Sequence, residues 1–217
     1  MNMARNAAME SVVKAPAAGR ARHAVLAACV FLGACGVAPT GGPQQASFDF
    51  GPAPLAAPAG ARIAQPLMVA DVTAPAWLDA PSVIYRLAYV NAAEPRSYAY
   101  SRWVMSPAAL MTQRLRAAVA AATPGGVLSP SDGVRAETVL RVELEEFTHS
   151  FDAPQSSRAV VRLRASLVSN RALVAQRVIS VSRPAAAHDA AGGAAALAAA
   201  SDEAIVQLVG WVATAKR

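Results

Sequence analysis

Between Ala136 and Arg183 the apolar and polar residues take turns. In AETVLRVELEEF, Leu140, Val142 and Leu144 fall on one side and Arg141, Glu143 and Glu145 on the other. In SRAVVRLRASLV, Val161, Leu163 and Leu167 oppose Arg162, Arg164 and Ser166. A period of two predicts half-buried strands. The loop DAPQSS joins the two runs. Setting Phe151 opposite Arg158 places Glu145 opposite Arg164 and Leu144 opposite Ala165, so the apolar and charged faces coincide, as a hairpin register requires. Asn170-Arg171 is a tight turn into LVAQRVISV, a third strand whose alternation is broken by Gln176.

Upstream, SFDFG (47–51) and ARIAQPLMVADVTA (61–74) are strand candidates, the second with Leu67 and Val69 alternating and with Pro66 marking an edge or a start. Ser82–Val90 and Ser97–Met105 are rich in β-branched and aromatic residues, and NAAEPR turns between them. A helix follows. Ser106 is suited to the N-cap and Pro107 to the first helical position. Leu110, Met111, Leu115, Ala118, Val119 and Ala122 make its apolar stripe, with Thr112, Gln113 and Arg116 on the opposite side, and TPGG stops it. In the alanine-rich C-terminal segment, Leu197, Ala204, Ile205, Leu208, Trp211 and Val212 form a second stripe, while Gly192-Gly193 weakens the start. Its polar face lacks basic residues except at the very end, which favours docking on a sheet over lying on a membrane. The predicted fold class is therefore α+β: an antiparallel or mixed sheet packed against two helices, in the order β-β-β-β-α-β-β-β-α, as a single domain.

The front of the chain has a different pattern. Arg5, Lys14, Arg20 and Arg22 precede an uncharged apolar run from Ala24 to Ala34, the layout of an export signal. That run is too short to span a bilayer, which takes about 20 residues. Both cysteines lie here. Leu32-Gly33-Ala34-Cys35 resembles the bacterial lipobox, and so does Leu26-Ala27-Ala28-Cys29. Cleavage before Cys29 leaves only Ala24 to Ala28 as the apolar region, below the roughly 7–15 residues a signal needs. Cleavage between Ala34 and Cys35 keeps the whole run, so Cys35 is the expected lipid attachment site and Cys29 leaves with the signal. The lipobox resemblance implies an acylated (palmitate-type) mature N-terminus. With Gly36 rather than Asp after the cysteine, it implies the periplasmic face of the outer membrane. The expected layout is signal peptide 1–34, lipidated N-terminus and flexible tether 35–46, and folded domain 47–217. The tether, rich in Gly, Pro and Gln, has an r.m.s. span of roughly 18 Å as a flexible coil.

Removing that signal leaves 183 residues, enough for one domain with a core. It also lowers the net charge from +6 to +3, which is no nucleic-acid footprint. The mature chain then has no thiol for a disulfide, a Cys-ligated metal or a Cys nucleophile. His149, at a strand end, and His188, in a polar turn, have no ligand partner at metal spacing and read as surface histidines. Glu143, Glu145 and Glu146 read as a solvated hairpin face, and Asp71, Asp79 and Asp132 as turn residues. There is no G-x-S-x-G elbow and no P-loop. No catalytic residue, metal site or cofactor is expected.

With these residues placed, the middle of the chain resembles the ABC-type transport auxiliary lipoproteins, which include the lipoprotein of the Pqi system and those encoded with Mce-domain proteins. Leu78, Asp79, Pro81, Ile84, Tyr85 and Arg86, then Arg102 and Trp103, match that family's pattern of a turn, a strand, Arg-Trp and a helix. The resemblance covers about residues 47–215. It implies a non-enzymatic docking component with an Mce-domain protein as partner and acyl chains in the membrane. The system would move lipids or other hydrophobic molecules across the envelope. Homo-oligomerisation stays open. Arg86, Trp77 and Trp103 are contact candidates, although a strand Tyr-Arg and buried tryptophans also serve structure. The rival readings are a lipoprotein assembling outer-membrane barrels or lipopolysaccharide, and a lipid-anchored periplasmic hydrolase.

Overall fold

The computed structural model describes residues 44–52 and 60–215. Cys29, Ala34, Cys35, the predicted signal and most of the tether lie outside the described residues. In chain order the elements are β1 (Ala46–Phe48), β2 (Leu67–Val69), β3 (Ser82–Leu87), α1 (Ala88–Asn91), β4 (Arg96–Trp103), α2 (Pro107–Ala122), β5 (Val127–Leu128), a 3-10 turn (Pro130–Asp132), β6 (Thr138–Ala153), β7 (Ser156–Ser169), β8 (Ala172–Pro184) and α3 (Ala190–Ala215). The fold is α+β, as the sequence predicts.

The meander of β6, β7 and β8 is the frame. At the turn end Phe151 pairs with Ser157, one position from the expected register, and farther along Leu144 pairs with Leu163, two positions away. The ladder shifts between Leu144 and Glu146, so Glu145 is an extra residue, a β-bulge. The bulge changes which side chains face inward. Leu140, Val142 and Leu144 are buried before it, and Phe147, His149 and Phe151 after it. One inserted residue brings both sets to the same face, opposite Leu167, Ala165, Leu163, Val161 and Ala159. The predicted ion pair survives the altered register: Arg164 Nε donates to Glu145 Oε1 at 2.6 Å.

The other edge of β6 is shared. Its first half pairs in parallel with β2, through Met68 and Val139, and its second half in parallel with β3, through Tyr85 and His149. β5 adds to β2, β4 pairs antiparallel with β3, and β1 pairs in parallel with β4. The sheet is therefore mixed. The expected strand over 61–74 is only three residues of β2 plus a bridge from Thr73 to Glu143. The expected strand over 82–90 ends at Leu87, where the chain makes the single helical turn of α1. β5 was not foreseen.

α2 starts where predicted: the Ser106 side chain accepts from Ala109 N at 3.4 Å, and Pro107 opens the helix. Its polar residues are not all on the solvent side. Thr112 is buried, donates to Ala108 O at 2.8 Å and accepts from Val72 N at 2.9 Å, closing the loop after β2. Arg114 is buried against α3, its Nε 3.0 Å from Asp202 Oδ1, an ion pair short of linear hydrogen-bond geometry. Burial raises the Asp202 pKa, and Arg114 opposes that shift.

At 26 residues, α3 is long and apolar enough by composition to cross a membrane. Instead it docks on β6, β7 and β8, burying Leu197, Ala200, Ala204, Ile205, Leu208 and Val212. The glycines near its start permit the docking. A Cβ on Gly193 would lie 2.3 Å from His149 Nδ1, and one on Gly192 would lie 2.2 Å from Ala187 O. The helix begins through these glycines because nothing larger fits between it and its neighbours.

Candidate functional site

The residues singled out by the sequence pattern separate into core, cluster and surface. Leu78 and Trp103 are fully buried. The turn before β3 is held by Leu78 N on Pro75 O at 2.8 Å, and β4 is tied to it by Trp103 N on Pro81 O at 2.8 Å. Trp103 is ringed by Phe48, Phe50 and Phe147 at centroid distances of 6.4, 5.7 and 5.5 Å. Asp79 and Arg102 stay at the surface. Arg86 stacks its guanidinium 5.3 Å from the Trp77 ring centroid and donates to Ala92 O at 3.1 Å. Leu78, Tyr85 and Trp103 of the motif thus build the β3–β4 unit, and Asp79, Arg102 and the Arg86 stack on exposed Trp77 are left accessible.

Tyr85 belongs to a cluster that sequence reasoning missed. It lies 4.5 Å from Tyr98 and 6.1 Å from Phe151, ring centroid to centroid. Tyr98 Oη is 2.9 Å from His149 Nδ1. His149, expected at the surface, is fully buried beneath α3, and its Nε2 has no partner among the described residues. Burial pushes its pKa down to about 4, helped by the neighbouring His188 and opposed by Asp189. Burial likewise raises the Tyr98 hydroxyl pKa, with smaller contributions from Tyr85 and Asp189. The available signal was parity: His149 shares its side of β6 with Phe147 and Phe151.

A nucleophile and a base do meet elsewhere, with Ser157 Oγ 2.8 Å from His188 Nδ1. Ser157 is buried. Asp189, next to His188, is engaged in capping α3 by accepting from Gly192 N at 2.7 Å. The arrangement ties the β8–α3 loop to β7, as does Ala185 N on Ser157 O at 2.9 Å. Among the described residues no three His, Cys, Asp or Glu side chains cluster to hold a metal.

The surface with the most accessible chemistry is the sheet face away from α3. Arg141, Glu143, Glu145, Arg162, Arg164 and Gln176 project there. A groove of about 510 Å³ runs over it, lined by Asp71, Thr73, Arg141, Glu143, Arg164 and Gln176, among others. Asp71 is held by Arg116 at 2.8 Å, and Gln176 donates to Ser166 Oγ at 2.9 Å. Arg141 and Arg162 have no ion pair among the described residues. The face offers donors and acceptors of both signs on a rigid sheet, which suits recognition of a polar partner surface.

These features define a structural class: an α+β domain whose sheet is covered by α3 on one face and carries charged side chains on the other. The chain belongs to the ABC-type transport auxiliary lipoprotein component family, whose model matches residues 48–209. It is similar in fold to a crystal structure of a Xanthomonas campestris protein, at 22% identity and a TM-score of 0.68, over 76% of this chain and 93% of that one. A second crystal structure, of an uncharacterized protein, aligns with a TM-score of 0.60 at 16% identity, over 76% of this chain and 97% of that one. No protein with a curated description matches the chain.

Proposed function

We propose that this protein is a lipid-anchored, non-enzymatic docking component of an Mce-type ABC transport system, which moves lipids or other hydrophobic molecules across the envelope. Residues 1–34 are its signal peptide, Cys35 carries the acyl chains, 35–46 is the tether and 47–217 the docking domain. It sits at the periplasmic face of the outer membrane, and its partner is the Mce-domain protein. The observation that carries this reading is the family match over 48–209, nearly the whole folded domain. Leu32-Gly33-Ala34-Cys35 at the end of an apolar run supports the anchor, and the open charged sheet face supports docking over catalysis. Each buried CH₂ of an acyl chain contributes about 0.8 kcal/mol, so several chains on one sulfur hold a protein at a bilayer for long times.

Two measurements test the proposal. Intact-mass analysis of the protein extracted from membranes is expected to give a chain beginning at acylated Cys35, and Cys35→Ser is expected to abolish the acylation. An unmodified terminus, or one at another residue, refutes the anchor. Cross-linking in whole envelopes is expected to join the domain to an Mce-domain protein; recovery of barrel-assembly or lipopolysaccharide components instead overturns the docking assignment.

A further inference from the structure

Strand β8 is a 13-residue edge that, among the described residues, pairs only with β7. An edge of that length carries a row of unpaired N–H and C=O groups, which folded proteins ordinarily cover, shorten or guard. β8 leaves Leu173, Val174 and Val178 60, 54 and 52% exposed. From Asn170 to His188 the chain holds Arg171, Arg177 and Arg183 and no carboxylate. Arg183 reaches Glu203 of α3 at 3.5 Å, while Arg171 and Arg177 make no ion pair among the described residues. Val206, one helical turn beyond Glu203 and so on the same flank of α3, is 50% exposed. An unpaired edge, an apolar ledge and uncompensated positive charge therefore occur together.

We infer that β8 accepts an extended segment of a partner protein as an additional strand, and that this segment alternates acidic with apolar residues. Main-chain hydrogen bonds along the edge supply affinity, and alternate side chains supply specificity. On the helix side of the added strand acidic residues meet Arg177, on the bare side apolar residues meet Leu173 and Val178, and Arg171 adds positive charge at the turn end. A second copy of this chain fits less well. Pairing β8 with another β8 doubles the arginines without adding an acid, and like charges across strands are destabilising. The other described sheet edges are β1, three residues, β5, two residues, and the stretch of β4 before Ser101, all much shorter than β8. The inference rests on the docking reading and names the place where the partner engages.

The test uses the mature full chain and two fluorescent peptides of about ten residues, the upper end of usual strand length. One alternates Val or Ile with Glu, the other with Lys. The acidic peptide is expected to bind saturably and roughly tenfold tighter than the basic one, and to slow hydrogen exchange at β8 amides while leaving β1 amides unchanged. Arg171→Glu with Arg177→Glu, both at exposed sites, is expected to reverse the preference while retaining the far-UV spectrum. No binding of the acidic peptide, or protection away from β8, overturns the inference. So does self-association of the free chain that protects β8, or binding to phosphatidylglycerol vesicles alone that the double variant abolishes. If these fail while envelope cross-linking still yields the Mce-domain partner, the docking reading stands and the edge does not. If cross-linking yields no transport component, the docking reading itself fails.

Discussion

Gly193 and His149 show how much of this fold depends on single side chains, one of them absent. The His149 ring fills the space a Cβ on Gly193 would need, and a hydrogen bond between Tyr98 Oη and Nδ1 holds the ring in place. Gly193→Ala must push α3 off the sheet or displace a buried ring. Overpacking of this kind costs about 1–3 kcal/mol, against a gain of at most about 1 kcal/mol in helix propensity. Urea unfolding is expected to show a clear net loss of stability. An unchanged midpoint means that helix and ring do not touch as described. The site could not be read from the sequence, because a Gly-Gly pair early in a helix normally signals weakness. Here it signals close approach. Likewise, His149 looked like a strand-end histidine because the covering helix is contributed by residues more than 40 positions later.

At the scale of elements, the pattern of the chain was most legible where contacts are local. The β6–β7–β8 meander, α2 with its Ser106 cap, and the docked stripe of α3 all follow from periodicity and turn residues. The register was legible only in part. An alternating sequence does not announce a bulge, and Glu145 adds one position to the one-position offset already present at the turn end while leaving the faces matched. β2 and β5, three and two residues long, carry too little pattern to be recognised, and they persist because β6 supplies a partner to β2 and β2 supplies one to β5. The β7–β8 turn gives a prediction at this scale. Asn170 and Arg171 have φ of 51° and 67°, the left-handed values of a two-residue hairpin turn. Asn tolerates this region well, whereas Arg pays a steric cost there that Gly avoids. Arg171→Gly is expected to stabilise the protein by about 0.5–1 kcal/mol, seen as a higher melting temperature. A lower one means that the Arg171 side chain contributes to the hairpin in a way its backbone does not reveal.

For the molecule as a whole, the buried histidine sets an acid limit. In the folded chain His149 protonates only near pH 4, whereas the unfolded chain binds that proton near the ordinary value of 6.5. The unfolded state therefore takes up the proton first. Stability is intact above about pH 6.5, declines as the pH falls, and reaches its full loss below 4, a total of roughly 3 kcal/mol from this group. His149→Gln, which can keep the bond to Tyr98 and does not titrate, is expected to flatten that limb of the unfolding free energy between pH 6.5 and 4. An identical acid limb in the variant assigns the loss to other groups. The family-level motif was legible because it builds the β3–β4 unit, which is a matter of packing. The surfaces that meet other molecules are not marked by such a pattern, and they emerge only when the sheet is seen with one face bare and one long edge open.

The first described strand has a mechanical consequence. β1 lies parallel to β4, with Phe48 beside Trp103 and Phe50 sealed behind it. A pull directed along β1 strains its hydrogen bonds to β4 together rather than breaking them one after another. The same pull must also draw two aromatic rings past an indole. Force-clamp unfolding from the N-terminal side along that axis is expected to meet its first resistance at β1, before the meander yields.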